Sequence, residues 1–250
     1  MTTALVPTET LSGPGPIALE SDAAHHLRDV LRIRPGEAVR LVDGFGHARG
    51  CTVESVDKRA VRLAFSGETE TLPPPPAEIT LFQCVAKPAR MDWLLEKIVE
   101  VGVARIVPIL SERVVAHVKK GETPDRWGRI LEAGLCQCGG AHATALAPAV
   151  DWAGALDAMR ALGAPVFVGS LAPGAIPLLA ALRDRIPQGA ARPVRLGWLV
   201  GPEGDFSPDE LASALTLPNA VPVTLGARVL RVETAALYGC SAMLAHAEAL

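Results

Sequence analysis

Residues 195–210 read RLGWLVGPEGDFSPDE, and this stretch decides the fold class. Arg195–Val200 is an apolar run of strand length. The loop Gly201-Pro202-Glu203-Gly204-Asp205-Phe206 follows. Ser207-Pro208-Asp209-Glu210 then signals a helix start: a serine to cap free N–H groups, a proline at the first helical position, and a glutamate to complete a capping box. An apolar strand, a short glycine loop and a capped helix form the repeating unit of a parallel sheet covered on both faces.

The same alternation continues in both directions. Downstream, Val221–Thr224 reads as a short strand and Glu233–Leu250 as a final, alanine-rich helix. Upstream, Glu78–Val85, Arg105–Leu110 and Pro165–Val168 are strand-like. Met91–Val101 has helical spacing (Leu94, Leu95, Ile98, Val101) and is closed by Gly102; Arg126–Leu135 and Asp151–Leu162 are also predicted helices. The expected class is therefore α/β. In such sheets ligands sit beyond the carboxyl ends of the strands, which directs attention to the loops after Val200 and Thr224.

The N-terminal part reads differently. Ser21 can cap a short helix running to about Leu31, and Pro35-Gly36 forces a turn. Ala38–Val42, Ala48–Val56 and Ala60–Phe65 are strand-like, the first two joined by the hairpin signal Asp43-Gly44-Phe45-Gly46. A small β-barrel with one helix fits. The seam Ser66–Ala77 ends in Pro73–Pro76, a run that holds an extended conformation and cannot sit inside a sheet. The expected division is a barrel over 1–66, a proline-rich linker over 67–77 and the larger domain over 78–250.

Composition narrows the class. The 250 residues are 49% hydrophobic, enough to fold without disulfides or metals. Five scattered cysteines (Cys51, Cys84, Cys136, Cys138, Cys240) suit reduced thiols in a cytoplasm. Cys136-x-Cys138 lacks zinc-site spacing, so no metal is expected. Met1–Thr10 has neither the basic start nor the apolar core of a signal peptide, and no apolar run reaches membrane-spanning length. The 24 basic and 27 acidic residues give a net charge of −3, which does not by itself favour a nucleic-acid partner. Local charge does: residues 23–65 hold eight Lys/Arg against five Asp/Glu, and 84–131 hold nine against six. His25, His26, Arg28, Arg32 and Arg34 cluster around the first helix.

The 201–206 loop is not a phosphate loop, since no Gly-Lys-Ser/Thr follows, and its glycines lack the dinucleotide spacing. Alone, it is explained equally well as a tight strand-to-helix turn. The second loop, Leu225-Gly226-Ala227-Arg228-Val229-Leu230-Arg231, carries two arginines into Glu233-Thr234-Ala235. Such a pair is unlike core chemistry.

The segments GPEGDFSPDE (201–210) and LGARVLRVETAAL (225–237) together resemble the signature of the 16S rRNA uracil-N3 methyltransferases, the ribosomal small subunit methyltransferase E family. HHLRDVLRIRPGE (25–37) and KPARMDWLLEKIVEVGVARIVPILSERVV (87–115) agree with it in order. The sequence departs from the family at Asp205, where a second glycine is usual, at Val232, where threonine is usual, and at Cys136-Gln137-Cys138-Gly139-Gly140, where a Glu-Gln-Ser-type segment and an arginine are expected.

The resemblance implies a PUA-like N-terminal barrel and a C-terminal SPOUT domain with a deep trefoil knot. It also implies a homodimer, S-adenosylmethionine held in the knot, and 16S rRNA or the small ribosomal subunit as partner. Cofactor contacts then fall to Leu171, Gly201, Glu203, Leu225, Gly226, Val229, Leu230, Thr234 and Ala235, largely through main-chain groups. Arg231 is the first choice to offset charge on uracil once its N3 proton leaves. Glu203 or Glu233 would take that proton or orient an arginine. His26, Arg28, Arg32, Lys87, Arg90, Arg113 and Arg228 are the candidate RNA contacts. Methylation of another RNA position, or a catalytically silent RNA-binding assembly factor, are the competing readings.

Overall fold

The computed structural model describes residues 2–13, 15–114 and 118–250, with the side chains at 21, 22 and 30 left aside. The chain forms two compact units: Met1–Pro74 with Glu132–Ala143, and Pro75–Leu131 with Thr144–Leu250. The sequence-based division ran 1–66, 67–77 and 78–250, so the grouping of Glu132–Ala143 with the first unit was not anticipated.

The first unit holds a six-stranded sheet. Its strands are β1 (Thr2–Leu5), β2 (Ile17–Leu19), β3 (Ala38–Val42), β4 (His47–Val56), β5 (Val61–Phe65) and β6 (Glu70–Thr71). The order is β1-β3-β4-β5-β2, with β6 on β4; β1 runs parallel to β3 and the other pairs are antiparallel. Helix α1 (Thr8–Ser12) follows β1, and α2 (Ser21–His25) continues into a π-helical turn over His26–Val30. The capping role expected of Ser21 lies outside the described side chains. Leu27, Val39, Leu41, Val53, Val61 and Leu63 build the core. Alternation along β3–β5 carries this pattern: one face buried, the other wet. Part of the expected linker is strand, because Glu70 and Thr71 pair with Ala48 and His47.

The second unit is an eight-stranded sheet whose pairings are all parallel. In chain order its elements are β7 (Ala77–Cys84), α3 (Pro88–Val101), β8 (Arg105–Leu110), the start of α4 (Asp125–Cys138), which from Glu132 on belongs to the first unit, β9 (Ala145–Leu146), β10 (Val150–Asp151) and α5 (Trp152–Leu162). Then come β11 (Val166–Gly169), β12 (Ile176–Pro177), α6 (Leu178–Arg185), β13 (Val194–Val200), α7 (Pro208–Leu215), β14 (Ala220–Thr224) and α8 (Val232–Glu248). The strand order is β10-β8-β7-β13-β11-β14-β12, with β9 on β8. Central strands β7 and β13 are almost wholly buried, as strands covered on both faces must be.

Helix α3 starts with Pro88 in its first turn, buries Met91, Leu94, Leu95, Ile98 and Val99, and ends at Gly102 with φ +82°. Helix α7 has both halves of the capping box between Ser207 and Glu210. After β14 the chain returns past β11 to lay α8 on β13, β7 and α3. Gly239 makes the seat possible, since a Cβ there would stand 2.3 Å from Trp198 of β13.

Candidate active site

Strand β11 lies between β13 and β14, and all three run parallel. Their carboxyl ends, Gly169, Val200 and Thr224, therefore emerge side by side. The loops that follow enclose a cleft of about 350 Å³.

One wall is the loop 201–206. Asp205 holds the left-handed backbone at φ +60°, a conformation aspartate tolerates better than most residues, and its Oδ1 accepts from the Phe206 N–H at 2.8 Å. A Cβ on Gly201 would press on the Phe206 ring at 3.3 Å, so glycine lets this strand end close against the ring. Glu210 is buried and ties two segments together: its Oε1 accepts the Glu112 N–H at 2.8 Å and its Oε2 the Ser207 N–H at 3.0 Å. Arg113 Nη1 donates to the carbonyls of Gly204 (2.8 Å) and Phe206 (3.2 Å).

The facing wall is 224–231. Gly226 sits at φ +114°, a region closed to other residues, with its N–H on Thr224 Oγ1 at 3.3 Å. Trp198 lies at the base and donates Nε1–H to the Ala235 carbonyl at 3.2 Å. Leu171 (61% exposed) and Val229 (77% exposed) are apolar groups at the cleft left largely uncovered among the described residues.

The charged part joins three elements. Arg90 of α3 bonds Glu203 Oε1 at 3.2 Å, and its Nε stands 4.0 Å from Glu233 Oε1. The Lys87 N–H also donates to Glu203 Oε1, at 3.3 Å. Glu233 is in the first turn of α8, where the helix dipole favours a carboxylate. Its Oε2 is buried with no hydrogen-bond partner among the described residues. Arg231 is the residue before α8; it and Arg228 line the cleft and are exposed.

The structure brings together most of the residues singled out from sequence. Leu171, Gly201, Glu203, Leu225, Gly226, Val229, Leu230 and Ala235 line the cleft with Arg228 and Arg231. Thr234 is exposed and lies outside the lining, and Glu233 reaches the site through Arg90. Of the residues expected on RNA, Arg90 and Arg113 set their side chains on Glu203 and on the loop carbonyls, whereas Lys87 meets Glu203 through its main-chain N–H. Arg28 is likewise engaged, by Asp29 and by the Asp57 and Lys58 carbonyls, while Arg32 adopts φ +53° and His26 opens the π-helical turn. Gly169, Ser170, Trp198, Asp205, Val223 and Thr224 were missed as lining residues. Only the adjacency of β11, β13 and β14 would have signalled them.

Other chemistry is scarce. Burial pushes the Cys84 and Cys240 thiols up to about 12, so both stay protonated and unreactive at neutral pH. Among the described residues there is no group of three or more metal-ligating side chains, and no helix long and apolar enough to cross a membrane.

Comparison with known proteins places the chain. Residues 73–244 match the family model described as an RNA methyltransferase domain, and 19–66 match the RNA methyltransferase PUA domain. The chain is 32% identical over 248 residues to ribosomal RNA small subunit methyltransferase E of Mycobacterium tuberculosis, covering 94% of this chain and 88% of that protein. It is similar to the crystal structure of ribosomal RNA small subunit methyltransferase E from Neisseria gonorrhoeae bound to S-adenosylmethionine, with 28% identity, a TM-score of 0.80, and coverage of 97% and 96%. A Legionella pneumophila protein solved with bound S-adenosylmethionine aligns with a TM-score of 0.82 at 26% identity, covering 98% of this chain and 97% of that one.

Proposed function

We propose, from the premise that this chain belongs to the ribosomal RNA small subunit methyltransferase E family, that it methylates N3 of a uridine in 16S rRNA, as a cytoplasmic homodimer. The observation that carries this reading is the cleft at the ends of β11, β13 and β14, where two glycine loops meet two exposed arginines and an Arg90–Glu203–Glu233 cluster.

The residues present fit S-adenosylmethionine. The lining offers main-chain groups at Gly201, Leu225, Gly226 and Leu230, with apolar cover from Leu171, Val229 and Trp198. Gly201 and Gly226 leave the cleft free of side chains where two of those main-chain groups stand. When bound, the cofactor supplies a methyl group on a sulfonium.

The protein must make N3 nucleophilic, because neutral uracil carries a proton there. A carboxylate of the cluster accepts that proton, and the negative charge spreads onto the flanking carbonyl oxygens. The Arg231 guanidinium can donate to one of those oxygens from the side away from N3, and it stays charged at any working pH. Arg90 pairs with Glu203 and stands 4.0 Å from Glu233, while Arg231 lines the cleft exposed. The dimer reading is supported by Trp93 of α3 and Tyr238 of α8, exposed on helices that pack on each other.

The test is methyl transfer from labelled S-adenosylmethionine to small ribosomal subunits, followed by nuclease digestion and identification of the nucleoside. The expected product is N3-methyluridine. Label on ribose or another base overturns the N3 reading, and no transfer with intact cofactor binding favours an assembly factor.

A further inference from the structure

We propose that Phe45, at the tip of the β3–β4 hairpin, is a stacking platform for an unpaired base of the RNA substrate; the inference rests on the RNA methyltransferase reading above. The first unit has two aromatic side chains, Phe45 and Phe65. Phe65 is covered by the Arg49 guanidinium, 3.6 Å from its ring centroid. Phe45 is 78% exposed, the highest value among the large exposed hydrophobics of the described residues. Single exposed apolar residues are common, so exposure alone does not mark Phe45; the loop that carries it does. This loop is not loose.

The tip is fixed from three sides. The buried Asp43 carboxylate accepts the N–H groups of Phe45 (2.8 Å) and His47 (3.1 Å), pairs with His47 Nδ1 (2.7 Å) and accepts the Thr8 hydroxyl (3.0 Å). The Gly46 N–H donates to the Ala141 carbonyl at 2.9 Å, the Ala143 N–H to the Gly44 carbonyl at 2.8 Å, and the Leu72 N–H to the Gly46 carbonyl at 2.7 Å. Phe45 and His142 form an antiparallel bridge. A Cβ on Gly46 would reach 2.5 Å from His142 Cε1, so glycine lets the imidazole lie against the hairpin beside Phe45. The backbone is immobilised while the ring is left to solvent. That arrangement suits a flat ligand, because ordering cost is restricted to two side-chain torsions.

An aromatic face holds a base by stacking, which every base offers whatever its sequence. Arg32, Arg34, Arg59 and Arg62 of the first unit are exposed and are available to phosphates, so a base contact at Phe45 adds to charge contacts and does not replace them.

The experiment uses the full-length protein and two probes: a transcript of small-subunit rRNA and a labelled twelve-nucleotide oligoadenylate, with an abasic chain of equal length as control. Phe45→Ala and Phe45→Leu should each weaken binding to both base-bearing probes by roughly five- to a hundredfold, while Phe45→Tyr and Phe45→Trp stay near wild type. The loss should be the same at low and high salt, giving parallel lines of log affinity against log salt, because no phosphate contact is removed. Cofactor affinity and melting temperature should not change.

Wild-type affinity in Phe45→Ala, or Leu retained as well as Tyr, overturns the stacking role; the latter would make the ring an apolar contact for protein. Equal wild-type binding to the abasic chain does the same. If wild type transfers no methyl group to RNA, the methyltransferase reading fails. If it methylates while Phe45→Ala is unaffected, only this inference fails.

Discussion

Gly239→Ala tests the packing beneath the cleft by the sign of its effect. Gly239 is buried in the middle of α8, where alanine is ordinarily the better helix former by about 1 kcal/mol. Here a Cβ would stand 2.3 Å from Trp198 Cε2 and 2.4 Å from Nε1. Carbon atoms settle at roughly 3.5–4.0 Å, so the indole or the helix must move by more than about 1 Å. The indole has little room. Its Nε1 is tethered to the Ala235 carbonyl, and a Cβ on Gly169 would approach its far edge at 3.1 Å. Overpacking of this kind costs about 1–3 kcal/mol, and loss of the Trp198 hydrogen bond about 1 kcal/mol. After the gain in helix propensity, the expected net loss is about 1–3 kcal/mol, or roughly 2–10 °C in Tm for a chain of this size. Trp198 and Ala235 both line the cleft, so S-adenosylmethionine affinity should fall as well. Urea melts and calorimetric cofactor titration read the two effects separately. A variant that melts above wild type, as helix propensity alone would give, refutes the reasoning.

Arg231→Ala should lower single-turnover methylation on the order of a hundredfold with cofactor affinity nearly unchanged, and Arg231→Lys should rescue only in part; a rate within a few-fold of wild type moves the role to Arg228. Arg113→Ala frees the Gly204 and Phe206 carbonyls, so cofactor affinity should drop several-fold while RNA affinity holds; the reverse pattern in titrations with each ligand would return Arg113 to RNA contact. Burial raises the Asp43 carboxyl, but the His47 ring, the Phe45 and His47 N–H groups and the Thr8 hydroxyl outweigh it and hold it at about 2, against an ordinary 3.8. Its contribution of about 2 kcal/mol is therefore present above pH ~4 and lost as pH falls toward 2; Asp43→Asn should flatten that limb of an acid-unfolding curve, and an unchanged limb counts against the hairpin network. Tyr238→Glu should shift the light-scattering mass toward that of a monomer, whereas an unaltered dimer places the interface elsewhere.

The α/β framework was legible because its signals are local and strong. Ser207, Pro208 and Glu210 mark the start of α7, Gly102 marks the end of α3, and the buried faces of β7 and β13 are near-continuous apolar runs. Apart from the eight-residue helix α6, the elements that escaped notice are short. β1, β2, β6 and α1 each span five residues or fewer, too few for a period of 2 or 3.6 to rise above chance, and tertiary pairing is what makes them strands or helix. The grouping of Glu132–Ala143 with the first unit rests on hydrogen bonds to Gly44 and Gly46, almost a hundred positions away, which no local pattern records.

The candidate site divides in the same way. Its glycines and apolar residues were readable from two loops, because backbone conformation and close approach limit what can stand there. Charged residues carry no such mark. Arg90, Arg113 and Arg231 look alike in sequence, each a cation near a chain turn, yet Arg90 bridges two carboxylates, Arg113 closes on two carbonyls, and Arg231 is exposed at the cleft. What distinguishes them is whether an acceptor of the protein lies within reach of the guanidinium. That depends on the parallel placement of β11, β13 and β14 and on the Glu210 tie between the loops after β8 and β13. An arginine whose donors the fold does not use is the one left for a substrate, and by that criterion Arg231 stands ahead of Arg90 and Arg113 for the developing charge on uracil.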